Sequence, residues 1–161
     1  MKKYVYALDL SQNSSGVCIF TNDGEFVKVF TIDTNSEKET KLKLKIIGNK
    51  FVETMKEYPP DIVVIEQGFT LYNPSTQAIF RTHGLVNYLF SEQEQIYYPA
   101  STVKKIVGGK GNMTKEEIHN AILKKYPKLK FKNYDESDAY SVGLTYFIKK
   151  GIIEWKPGYI V

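Results

Sequence analysis

The chain is poor in the residues that build covalent or sulfur-based frameworks. Among its 161 residues stands one cysteine, Cys18. It sits in the apolar run Val17-Cys18-Ile19-Phe20, so neither a disulfide within the chain nor a cysteine metal cage is possible. Arginine is as scarce, with Arg81 alone, so lysine must meet any polyanion. No apolar run approaches the length of a membrane span. The opening Met1-Lys2-Lys3-Tyr4-Val5-Tyr6-Ala7-Leu8-Asp9 starts basic, but its apolar stretch is short and closed by an acid, which argues against a signal peptide. Cytoplasmic residence without a membrane partner is the expectation. Internal repeats, low-complexity tracts and interdomain linkers are absent as well.

What is present supports one core. With 42% hydrophobic and 14% aromatic residues, residues 1–161 are expected to form a single domain. The formal charge of +4 permits a polyanionic partner without requiring one. Its distribution says more: between Lys104 and Lys132 lie nine lysines against Glu116 and Glu117, a local balance of +7, so the rest of the chain sums to −3. That asymmetry favours one basic, nucleic-acid-binding face, on which Lys105 and Lys110 are candidate DNA contacts. A solvated lysine-rich helix is the plainer explanation.

Residues 3–10, 16–21 and 25–32 read as strands, with Asn22-Asp23-Gly24 as a tight turn, which gives an antiparallel meander. Apolar positions at helical spacing predict a helix over 36–58, stopped by Pro59-Pro60. Asp61-Ile62-Val63-Val64-Ile65-Glu66 reads as a strand buried on both faces. A helix over 75–92, a strand near 95–98, a short helix over 101–106 and a loop over 107–112 follow. Thr114-Lys115-Glu116-Glu117 is a capping box opening the next helix, and a last helix spans 135–149. The fold class is therefore α/β, with a central mixed five-stranded sheet, three antiparallel then two parallel strands, flanked by helices.

Three separated pieces place acids where a metal site can be built. Asp9 ends the first strand, Glu66 ends the fourth, and Asp135 and Asp138 open the last helix. Residues three apart on a helix share a face, so the last two can address one ion. Sites in open α/β sheets form outside the carboxyl ends of central strands, where Asp9 and Glu66 fall. Four crowded carboxylates need cations, and hard oxygen donors select Mg²⁺ or Mn²⁺. Two such ions balance four charges and suit in-line phosphodiester hydrolysis. Each acid also has an ordinary explanation: Asp9 as a turn residue bonded to Ser11 or Asn13, and Asp135-Glu136-Ser137-Asp138 as a helix cap. Glu66, closing an apolar strand before Gln67-Gly68-Phe69, is harder to explain that way.

Over nearly its whole length the sequence resembles the RuvC family of Holliday junction resolvases, within the RNase H-like superfamily. The likeness is carried by Leu8-Asp9-Leu10-Ser11 with Ser15-Gly16, by Val64-Ile65-Glu66-Gln67-Gly68-Phe69, by Val103-Lys104-Lys105-Ile106-Val107-Gly108 with Lys115, and by Asp135-Glu136-Ser137-Asp138-Ala139. It implies an RNase H-like fold, metal ligation by Asp9, Glu66, Asp135 and Asp138, and Lys104 and Lys115 near the scissile phosphate. It also implies Phe69 as an aromatic wedge at the junction centre, although a loop residue folded onto the core explains Phe69 equally well. A homodimer acting on a four-way junction, in a bacterial cell or a phage-infected host, completes the implication. The helix over 75–92 is one candidate interface, and plain core packing is its alternative. Leu10-Ser11 stands where cellular members have Pro-Gly, as in phage-like variants. The tail around Trp155 is not among the segments that carry the resemblance.

The reading is thus a structure-selective endonuclease cutting four-way junctions. Its neighbours are a nuclease preferring forks, flaps or three-way branches, and a junction-binding protein that does not cut. A phosphotransferase of the actin and sugar kinase type shares an Asp followed by small polar residues on its first strand. It needs two lobes and a second glycine-rich phosphate loop, which this chain lacks.

Overall fold

The computed structural model describes residues 1–68 and 74–157. The elements run β1 (Tyr4–Asp9), β2 (Ser14–Thr21), β3 (Phe26–Asp33), α1 (Thr40–Glu57), β4 (Pro60–Glu66), α2 (Pro74–Leu89), β5 (Glu94–Tyr98), α3 (Ala100–Gly108), α4 (Lys115–Lys125) and α5 (Tyr134–Lys149). The strands form one sheet in the order β3-β2-β1-β4-β5. β1, β2 and β3 pair antiparallel, whereas β4 joins β1 and β5 joins β4 in parallel. This is the mixed sheet that the pattern of apolar runs predicts.

Side chains alternate across a strand, so β1 feeds two cores. Val5 and Ala7 join Cys18, Phe20 and Val64 beneath α5, with Val103, Val107, Ile118 and Ile122 of α3 and α4 in the same cluster. Tyr6 and Leu8 join Val17, Ile19, Val63 and Ile65 against Ile47 and Phe51 of α1 and Val86 of α2. Helices therefore cover both faces, which is why the centres of β1 (Val5–Leu8) and β4 (Ile62–Ile65) are apolar. α5 is buried from Glu136 to Phe147, Asp138 apart, because the sheet lies on one side of it and α3 and α4 on another. It approaches closely. A Cβ on Gly143 would stand 2.3 Å from the Phe20 ring, and one on Gly16 would stand 1.9 Å from the Asp135 carbonyl oxygen.

Several boundaries differ from the periodicity reading. α1 begins at Thr40 rather than near 36, because the Glu37 carboxylate accepts from the amides of Lys38 and Glu39 at 2.7 and 3.0 Å and satisfies them outside a helix. α3 continues to Gly108, which the glycine-rich sequence suggested was loop. Gly109, at φ 95°, provides the left-handed end. The last helix is capped by Asn133, whose side chain accepts from the Glu136 amide, and not by its aspartates. Among the described residues no helix is long and apolar enough to cross a membrane.

Candidate metal-dependent active site

Strand parity places the first two acids. Ala7 pairs with Val64 and Leu8 with Ile65 across the parallel β1–β4 edge, so Asp9 and Glu66 come next, side by side, at the carboxyl ends. Both continue the alternation of Ala7 and Val64, so they project to the face covered by α5. Asp9 pairs with Gly16 on its other side. The missing side chain there admits the Asp135 backbone at the start of α5. Two residues away, the Ser14 hydroxyl donates to the Asp135 carboxylate.

The remaining groups arrive from α3 and α4. Lys115, the first residue of α4, donates to Asp138 at 2.8 Å, the carboxylate side being well covered (15% exposed) and the lysine half exposed (57%). Glu66, Lys104, Lys115 and Asp138 line one cavity of about 90 Å³, together with Val103, Ile118 and Ser141. The predicted set of Asp9, Glu66, Asp135, Asp138, Lys104 and Lys115 thus gathers at one end of the sheet. Lys105 and Lys110 do not join it. They are exposed on and just beyond α3, and Lys110 borders a separate cleft with Gly109, Asn112 and Pro157. Phe69 lies outside the described residues.

The acids are electrostatically crowded. Burial, then the charges of Glu66, Asp138 and Asp135, drive the Asp9 carboxyl well above its usual range despite the opposing Lys115. Burial and the Asp138 charge push Glu66 up to about 7, against Lys115 and Lys104. Asp138 is also raised, because burial outweighs its bond from Lys115. Burial works against the Lys115 ammonium, but its hydrogen bond to Asp138 and the charges of Asp138, Asp9 and Asp135 hold its pKa above the ordinary lysine value. Lys104 and Lys115 together are therefore too little positive charge for the carboxylates at this end of the sheet. A turn-residue role for Asp9 also finds no support in the local bonding: the Ser11 amide donates to the Ser15 hydroxyl and the Asn13 amide to that of Ser11.

These residues fit a hard divalent cation, since the donors are carboxylate oxygens, buried and short of counter-charge. Among the described residues no group of three or more His, Cys, Asp or Glu side chains is already arranged to hold an ion. Lys115 holds the Asp138 carboxylate at 2.8 Å, and the acids share one electrostatic field. Sequence reading missed Ser14 as the group that orients Asp135. The only signal for it was a polar residue at the mouth of an otherwise apolar strand.

Residues 5–146 match the family model described as "Crossover junction endodeoxyribonuclease RuvC". A relative of that name from Ehrlichia chaffeensis is 26% identical over 152 residues, spanning 91% of this chain and 97% of its own. Another from Thermomicrobium roseum is 26% identical over 121 residues, spanning 72% and 74%. Among solved structures, T. thermophilus RuvC in complex with Holliday junction substrate superposes with a TM-score of 0.78 at 19% identity, over 93% of this chain and 97% of that one.

Proposed function

This chain belongs to the RuvC family of crossover junction endodeoxyribonucleases, and from that premise we propose that it is a single nuclease unit over residues 1–161 whose preferred substrate is the four-way DNA junction. The observation that carries the reading is the convergence of Asp9, Glu66, Asp135 and Asp138 on one end of the sheet, where burial and repulsion raise the carboxyls of Asp9, Glu66 and Asp138. We assign these four as the residues that would hold Mg²⁺ or Mn²⁺, two ions per site. When bound, the ions supply the Lewis acidity that phosphodiester hydrolysis needs.

The chain's own groups do the rest. Ser14 restrains Asp135 through its hydroxyl. To Lys115, half exposed beside Asp138, and Lys104 on the same cavity we assign the stabilisation of negative charge gathering on the reacting phosphate. The exposed Lys105 and Lys110 hold the flanking backbone. Phe69, close after Glu66 in sequence, is assigned as the apolar wedge that keeps bases unstacked at the crossover. A two-fold pair of subunits suits a substrate with two symmetry-related strands. For that contact we assign the exposed face of α2, where Phe80 and Tyr88, 48% and 77% exposed, flank Gly84 at helical spacing. Cytoplasmic residence, in a bacterium or a phage-infected one, follows from the substrate.

The test is cleavage of a synthetic four-way junction with Mg²⁺ or Mn²⁺, beside forks, flaps and three-way branches, using wild type and Asp9→Asn. Two symmetric nicks in the four-way junction, abolished by Asp9→Asn, are expected. Cleavage without added metal, or an unimpaired mutant, refutes the site. Tight binding with no product under any divalent ion means a junction-binding protein instead.

A further inference from the structure

Beyond α5 the polypeptide returns to the helices that carry both active-site lysines. Trp155, the chain's single tryptophan, donates its indole N–H to the Val107 carbonyl at 2.8 Å. Its ring stacks on Tyr126, with centroids 6.2 Å apart and planes 30° apart. The Lys125 ammonium lies 4.8 Å from the Trp155 ring centre and donates to the Glu154 carbonyl at 2.6 Å. The tail therefore holds the last turn of α3 and the carboxyl end of α4 at once.

Those two helices define where the lysines stand. Lys104 is one turn before Val107, Lys115 opens α4, and both line the cavity with Glu66 and Asp138. The helices meet at Gly108, where a Cβ would lie 2.0 Å from the Met113 sulfur and 2.8 Å from Ile118. α3 is nine residues long and has no side-chain cap, so its position depends on what packs around it. Trp155 closes that packing from outside. It lies beyond the residues that match the family model.

We propose that Trp155 is a positioning residue for DNA cleavage: by tying α3 to α4 it sets the placement of Lys104 and Lys115 over the carboxylates. The inference rests on the roles assigned to those lysines above. Loosening the tie lowers the rate of the chemical step and spares affinity, because exposed lysines elsewhere carry the backbone contacts. A role in packing alone would lower thermal stability and leave the rate per folded molecule unchanged.

Trp155→Phe keeps a stacked ring and loses the indole N–H, whereas Trp155→Ala loses both. Single-turnover cleavage of a four-way junction by excess full-length enzyme, junction Kd in EDTA and melting temperature are measured for each, alone and combined with the double substitution Lys104→Ala and Lys115→Ala. The expected result is about a fivefold slower cut for Trp155→Phe, the equivalent of one neutral hydrogen bond. Trp155→Ala should slow cutting by at least about tenfold with Kd within about twofold of wild type, and its effect should largely vanish in the background that lacks both lysines. A wild-type rate in Trp155→Ala, or losses that simply add to those of the double lysine variant, overturns the proposal. Should Trp155→Ala not fold, Trp155→Phe in the wild-type and double lysine backgrounds decides by the same criteria. A double lysine variant that cuts at full rate overturns the site assignment itself, which the Trp155 variants alone leave standing.

Discussion

Glu66 follows the apolar run Ile62–Ile65 and meets Asp9, Asp138 and a covering helix, so its charged form is disfavoured twice, by lost water and by like charge. Its carboxyl titrates near 7 in the folded chain against 4.5 ordinarily. The folded state therefore binds a proton that the unfolded state releases across that interval, and the stability of the metal-free protein falls as pH rises from about 4.5 to about 7, then levels. Asp9, also raised, adds in the same direction. A contribution on the order of 3 kcal/mol from Glu66 is expected over the whole interval, about 2 kcal/mol of it above pH 5.5. Urea unfolding in EDTA should show wild type more stable at pH 5.5 than at pH 8, and Glu66→Gln should remove much of the difference. Equal midpoints at both pH values in wild type would mean the acids are not crowded. Glu66 was legible from its position alone, and Asp9 and the aspartate pair became convincing only in combination. Ser14 was not legible, because its partner is 121 residues away in sequence.

Between elements, the decisive contact is β2 against α5. Gly16 has no room for a side chain, and the atom it would strike is backbone, the Asp135 carbonyl oxygen at 1.9 Å, which no rotamer change relieves. Gly16→Ala is therefore expected to destabilise the protein by about 1–3 kcal/mol, the range for overpacking. It should also displace Asp135 and slow junction cleavage by more than tenfold at saturating DNA. The two effects are separated by comparing unfolding midpoints with single-turnover rates, and an alanine variant with normal stability would contradict the geometry. Element types followed from periodicity because apolar alternation and helical stripes are local signals. Boundaries at α1 and α3 did not, since the Glu37 side chain accepting from two amides and the left-handed turn at Gly109 that lets α3 run to Gly108 are conformational choices that composition hides.

At the scale of the whole molecule, positive charge is segregated. Residues 104–132 carry +7 against −3 elsewhere, and with one arginine in the chain lysine is the residue available to meet DNA phosphates. Junction affinity without divalent ions should then fall steeply with salt, about a thousandfold between 50 and 200 mM for roughly six phosphate contacts. Lys105→Ala and Lys110→Ala should each reduce the slope of log K against log salt by about one. A flat salt response would relocate the binding energy to base or shape contacts. One five-stranded sheet also leaves no second lobe, among the described residues, of the kind a sugar-kinase-like phosphotransferase requires.

By itself the sequence determined the strand and helix types, the strand-end placement of Asp9 and Glu66, the shared helical face of Asp135 and Asp138, and the basic segment, because each depends on spacing of a few residues along one element. Tertiary structure alone decided that β1 and β4 lie adjacent, that Gly16 and Ser14 seat α5 over them, and that Trp155 holds α3 to α4. These depend on pairs of residues far apart in the chain, whose meeting is set by burial of two cores on opposite faces of one sheet rather than by any local pattern.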